Sequence, residues 1–421
     1  MPVNSQRMCD FFARLSLVGQ VGERGVTRLA YTANETQAHE LLRDYFAAQP
    51  ALRYMRDGFG NSIISAQGGC GNHSSVLVGS HLDTPIGGGR FDGTLGVVIG
   101  AEVLLSLVEE FGDVFLQRLP TELVAFACEE SARFGLSSVG SRAFTDSLEW
   151  EAARALCDAN GITLEAALRS QGLSTKRSAA AAPPSSRYRA YFEVHVEQGP
   201  QLERSGVTFG VVEAIAGASR LRITLRGEAR HSGTAEVEDR HDALVGASRC
   251  VVETRALMRE LAPGLKGGIG TLDLPGSSVN VVPAEAQFIL ELRAADDFLK
   301  QSGLERLLER FRSVAAEEGL GIEVKLIKQD SATAMASDVR GMLIQGLDTL
   351  GLQYMELNSG ASHDALVLQR SGVRSGMLFL PSRSGISHHP DEFTTEAEMC
   401  QGAEVLRATL LFMAGMSDVS F

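Results

Sequence analysis

Acids and histidines in this chain gather at the ends of apolar runs, where a sheet could aim them at one point. The run SSVLVGS leads straight into His81-Leu82-Asp83-Thr84, and nine residues beyond Asp83 comes Asp92, inside the glycine-dense stretch GGGRFDG at 87–93. A second run, ELVAFAC, ends in Glu129-Glu130. His195 lies in HVEQG and His388-His389 in the turn-rich SGISHHPDE. Imidazole nitrogens and carboxylate oxygens hold hard or borderline divalent metals, and catalytic sites leave a position open to water. Three histidines with two or three carboxylates suffice for two ions, and a carboxylate shared between them would favour a bridging hydroxide. A further carboxylate that binds no metal must then move protons, two roles that an adjacent Glu-Glu pair can divide.

The elements that must position these residues alternate between strand and helix. A helix is expected near 35–48, a strand at Ser75–Gly79, a helix at 94–110 and a strand at Glu122–Cys128, an order that predicts an α/β sheet with its ligand crevice beyond the carboxyl ends of the strands. The stretch 175–188, rich in Ala, Pro and Ser, reads as a surface loop. Alternation over Tyr191–Val196 places Glu193, His195 and Glu197 on one face and the apolar residues on the other. From about 212 longer amphipathic strands (Leu221–Arg226, Ala286–Arg293, Ile322–Ile327) interleave with helices near 242–261 and 299–317. The first texture then returns, with a strand at Gly376–Leu380 and a closing helix at about 395–414. The expected organisation is therefore a discontinuous catalytic domain, 1–212 and 329–421, interrupted by an inserted α+β domain at 213–328, with hinges near 212 and 328.

A chain of 421 residues exceeds one ordinary core, which fits this division. With 39 Lys+Arg against 52 Asp+Glu the net charge is −13, which disfavours nucleic acid and anionic membranes as partners. The six scattered cysteines form neither a disulfide framework nor a thiolate site, and no signal peptide is apparent, so a reducing cytoplasm is the expected location. Leu95–Val108, the most apolar stretch, contains Glu102 and is too short for a membrane span, so it reads as a buried helix. Glycines crowd 87–89 and 93, where backbone has to approach closely.

Taken in order, GSHLDT, GGRFDG, CEESARFG, GSRA, HVEQGPQLE, HSGT with DRHDAL, SVNVVP, GASHDA and SHHPDE resemble the hydantoinase/carbamoylase branch of the dinuclear-metal aminoacylase and exopeptidase superfamily, over essentially the whole chain. The resemblance implies a zinc-exopeptidase-like mixed-sheet domain with an inserted dimerisation or lid domain. It makes His81, Asp92 and His195 ligands of one divalent ion and Asp92, Glu130 and His388 ligands of a second (Zn, Mn, Co or Ni), with Asp92 bridging. Glu129 becomes the general base and acid, Asp83 the partner that orients His81, and His231 the group that stabilises the oxyanion. Gln198, Asn280, Arg293, Gly360, Ala361, Ser362 and His363 match substrate-binding positions, with Arg293 and Asn280 as a carboxylate clamp.

The implied reaction is hydrolysis of the carbamoyl group of an N-carbamoyl-L-amino acid to the amino acid, ammonia and CO2, by a homodimer joined through the inserted domain. Allantoate or another ureido acid is the alternative substrate, and a metallopeptidase or aminoacylase, or a binding protein with a decayed site, are further readings. Two departures from the family pattern stand out. His231-Ser232-Gly233-Thr234 continues as Ala235-Glu236-Val237 where HAGTTPM is usual, and Ala218-Ser219 replace the Gln-Arg usual in allantoate-hydrolysing members.

Overall fold

A computed structural model describes residues 3–67, 75–175 and 184–416. The chain divides into two compact units, 1–213 with 335–357 and 363–421, and 214–334 with 358–362. Most of the loop read at 175–188 lies outside the described residues.

The first unit is built on a mixed sheet whose strands run in the order Phe209–Ile215, Ser375–Leu380, Tyr188–Val196, Ser75–His81, Thr121–Phe126, Ser62–Ala66 and Leu52–Arg56. The four strands from Ser375–Leu380 to Thr121–Phe126 are mutually parallel, and the flanking pairs are antiparallel. The α/β expectation therefore holds. The parallel register places Phe126 beside His81 and Phe379 beside His195, so these strands end at one level of the sheet. Tyr188–Val196 is longer than its alternation suggests and, apart from Arg189, buried throughout. Helices cover both faces of a parallel sheet, so the polar side of this strand meets a packed interior rather than water.

Thr94–Phe111 is the buried helix expected from its composition, enclosed from Thr94 to Val108. Among the described residues no helix is long and apolar enough to cross a membrane. Glu102, in the middle of this helix, accepts hydrogen bonds from Arg7, Tyr45, Ser106 and the Asn4 backbone, which tie the N-terminal helix Ser5–Leu17 to it.

The second unit is a four-stranded antiparallel sheet in the order Lys266–Asp273, Glu285–Ala294, Gly217–Arg226 and Gly321–Gln329. Leu221, Ile223, Leu225, Phe288, Leu290 and Leu292 point to one face and form a core with Leu257 and Phe311 of the helices Ala243–Glu260 and Asp297–Glu317. Residues of the opposite alternation, among them Arg220, Arg222, Glu291 and Arg293, remain exposed or half-buried.

Candidate metal centre

Four segments of the first unit meet at Asp92, its own loop among them. His81 ends its strand, Asp92 sits in the loop before the helix Thr94–Phe111, His195 is the penultimate residue of Tyr188–Val196, and His388 follows Ser375–Leu380 by eight residues. His81 Nε2 lies 3.4 Å and His195 Nε2 3.1 Å from Asp92 Oδ1. His388 Nε2 lies 3.2 Å from Asp92 Oδ2 and 2.9 Å from Glu130 Oε1. The donor atoms of His81, Asp92 and His195 fall within 4.8 Å of one another, as do those of Asp92, Glu130 and His388.

The protonation pattern suits divalent ions. His81 Nδ1 donates to the Asp83 carbonyl at 3.0 Å and His195 Nδ1 to the Val196 carbonyl at 2.9 Å, which leaves each Nε2 lone pair turned towards Asp92. The Gly93 N–H donates to His195 Nε2 at 3.3 Å, in keeping with that tautomer. Lone pairs facing a carboxylate repel it unless a proton or cation lies between them. Burial opposes a charge on His81, but the Asp83 and Asp92 carboxylates outweigh it and hold the imidazole well above its usual pKa. Asp92 and Glu130 push His388 up to about 11. Burial would raise Asp92, yet His195 and the other two imidazoles hold it well below the carboxylate range.

Asp83 does more than touch His81. Its carboxylate accepts from the Glu129 and Glu130 backbone N–H groups, each at 3.0 Å, and stands 3.6 Å from His81 Nδ1. It thereby fastens the end of one strand to the segment that carries both glutamates. Glu129 Oε2 lies 4.0 Å from His81 Nε2, and its Oε1 accepts from Ser138 Oγ at 3.2 Å. Burial drives Glu129 well above the carboxylate range; His81 opposes this and Glu130 adds to it, which suits a group that takes up and returns a proton. Gln198 donates to Asp92 Oδ2 at 2.5 Å, and its own buried Oε1 has no partner among the described residues.

The other proposed residues divide between the units. His363 is buried in the first unit with its ring edge-on to His195, the centroids 4.5 Å apart. In the second unit His231 pairs with Val281, and the Asn280 carbonyl accepts from the Ser232 N–H at 2.9 Å, so His231 and Asn280 share one strip. There too Arg293 donates to Glu291 Oε1 at 2.6 Å and to the Gly360 carbonyl at 3.0 Å. Ala361 is half-buried and Ser362 exposed.

Motif reading passes over three buried acids near the cluster. Glu193 accepts from Ser80 Oγ and the Ala365 N–H, each at 2.9 Å, and it forms a third potential ligand group with His195 and His363. Burial, with Glu193 close by, pushes Asp364 up to about 8. Glu392 fills the space over Gly89, where a Cβ would stand 1.5 Å from its Oε2. Sequence offered a signal for two of them: Glu193 shares the polar alternation of His195, and Asp364 directly follows His363.

Residues 80–411 match peptidase family M20/M25/M40. The chain is 34% identical over 412 residues to the N-carbamoyl-L-amino acid amidohydrolase of Geobacillus stearothermophilus, covering 98% of this chain and 99% of that one. It is 28% identical to the allantoate amidohydrolase of Bacillus subtilis, over 96% of this chain and 97% of the relative. A hydantoinase/carbamoylase family amidase from Burkholderia multivorans superimposes with a TM-score of 0.86 at 29% identity, over 98% of both chains.

Proposed function

Since this chain belongs to peptidase family M20/M25/M40 and is an amidohydrolase acting on carbon–nitrogen bonds other than peptide bonds, we propose that its substrate is an N-carbamoyl-L-amino acid. The observation that carries this reading is the convergence of three imidazole Nε2 atoms on the two oxygens of Asp92, with a proton-accepting Glu129 beside them, in a chain so similar to a carbamoylase.

In this reading His81, Asp92 and His195 hold one divalent ion and Asp92, Glu130 and His388 a second. Such ions polarise a carbonyl and lower the pKa of water. Glu129 takes a proton from the attacking water and passes it to the departing nitrogen. Water adds across the ureido group, ammonia leaves, and the carbamate that remains loses CO2 to free the amino acid. Arg293 and Asn280 hold the substrate carboxylate, Gln198 and residues 360–363 orient the ureido group, and His231 donates to the carbonyl oxygen as its negative charge grows. The second unit serves as the homodimer interface. Ala218, which stands opposite Arg293 in the sheet and departs from the pattern expected of allantoate-hydrolysing members, favours the carbamoyl amino acid over allantoate.

Ammonia release from N-carbamoyl-L-amino acids, allantoate and dipeptides, with and without Mn²⁺, Co²⁺ or Zn²⁺, tests the proposal. Turnover is expected to be metal-dependent and fastest on the carbamoyl amino acids. A preference for allantoate, or release from none of the panel, overturns it.

A further inference from the structure

Arg293 belongs to a wider basic row on the face of the four-stranded sheet opposite the one packed against the two helices. In the antiparallel register Lys266 stands opposite Arg293, and Arg293 opposite Ala218, so the three side chains rise from the same face in one line. Arg220 and Arg222 follow along the neighbouring strand, with Arg220 opposite Glu291. Glu291 accepts from both Arg220 and Arg293. Two cations share this one carboxylate, and Lys266 and Arg222 stand along the same face, in a chain whose net charge is −13. A local excess of positive charge inside an acidic protein is a feature that an anion can read.

Lys266 is the member beside Arg293 that has no ion-pair partner among the described residues, as Arg222 is further along the face. Its side chain is exposed, and no carboxylate among the described residues pairs with it. Its Nζ comes within 3.9 Å of where a Cβ on Gly360 would stand, and the carbonyl of that same glycine accepts from Arg293 Nη1. Ammonium and guanidinium therefore approach one stretch of backbone, the guanidinium already sharing Glu291 and the ammonium carrying its whole charge. On the other flank of Arg293, Ala218 is too short to contribute.

We propose that Lys266 is a specificity-determining residue that selects ureido acids bearing a second anionic group, of the N-carbamoyl-glutamate or N-carbamoyl-aspartate type. This rests on the reading in which Arg293 holds the substrate's α-carboxylate. The planar guanidinium suits one carboxylate bidentately, whereas an ammonium on a flexible four-carbon stem is a movable point charge that can meet a second carboxylate one or two methylenes away. A neutral amide of the same shape would keep a hydrogen bond to Lys266 and lose the attraction between full charges.

The test compares kcat/KM of the metal-loaded enzyme on N-carbamoyl-L-glutamate and on its isostere N-carbamoyl-L-glutamine, at low and high salt. The wild type is expected to favour the glutamate by roughly tenfold, a preference that shrinks as salt screens the charges. Lys266→Met should lower the glutamate rate alone, and Lys266→Arg should retain most of the preference. The position is exposed, so neither variant should disturb folding. Equal wild-type rates on the two substrates, or a Lys266→Met variant that slows both alike, overturns the role of Lys266 and leaves the carbamoylase reading standing. Release of ammonia from no carbamoyl amino acid at all defeats that reading and this proposal with it.

Discussion

Replacing Gly93 with alanine should separate the metal centre from the rest of the fold. Gly93 links Asp92 to the helix Thr94–Phe111 with φ +64° and ψ −52°, a conformation that costs a residue with a Cβ about 1–3 kcal/mol. The added Cβ would also stand 2.4 Å from the Nδ1, Cε1 and Nε2 atoms of His81. That ring has little freedom to retreat, because its Nδ1 is held by the Asp83 carbonyl, its Nε2 faces Asp92, and it is almost fully buried. Relieving such an overlap in a packed site costs about another 1–3 kcal/mol. Gly87→Ala, in the same loop, is the control: φ is +61° and nothing lies within 4 Å of its Cβ, so only the backbone strain applies. Thermal unfolding of the metal-free proteins, calorimetric titration with Mn²⁺ or Zn²⁺, and ammonia release distinguish the two variants. Both should be destabilised, but Gly93→Ala alone should lose about ten- to a hundredfold in metal affinity, with turnover falling in parallel. A Gly93→Ala protein that binds metal and turns over like the wild type would refute the argument that His81 is fixed against this glycine.

Three further outcomes follow from the same contacts. Glu129→Gln should keep its metal and lose roughly 10²- to 10⁴-fold in kcat, as measured by metal analysis beside ammonia release, since an amide cannot carry the proton; near wild-type turnover would remove Glu129 from the chemistry. In Asp83→Asn one amide N–H₂ must confront the Glu129 or Glu130 backbone N–H, so metal affinity should fall about ten- to a hundredfold, while an unchanged titration would show that the anchoring of that segment is dispensable. Burial would raise Glu102, but Arg7 and its other donors hold it below its ordinary 4.5. A folded-state pKa below the unfolded one gives stability that is complete above 4.5 and is lost as pH falls through the folded value. Glu102→Gln should therefore cost about 2–3 kcal/mol at pH 7 and flatten the acid limb of a pH–stability curve, and an acid limb identical to the wild type would contradict this.

What the sequence could reveal about the centre depended on whether a residue's job shows in its neighbours along the chain. His81, Asp92, Glu129 and Glu130 were legible because each follows an apolar run or a glycine cluster, and a parallel sheet turns such run ends into neighbours. Gly93 was legible for a related reason: a glycine beside a proposed ligand implies close backbone, and the His81 ring is what approaches it. The commitment of Asp83 to two backbone N–H groups 46 and 47 residues away was not legible, because backbone donors leave no mark on residue identity. Nor was the enclosure of Glu193, whose alternation with apolar neighbours marks a polar face without marking what covers it. The same limit governs the second unit. Lys266 and Arg293 are 27 positions apart in an unremarkable stretch of sequence, and only the register of two antiparallel strands makes them neighbours. On the proposed roles, motifs mark the groups that perform the hydrolysis, and strand pairing adds Lys266 to those that choose among ureido acids.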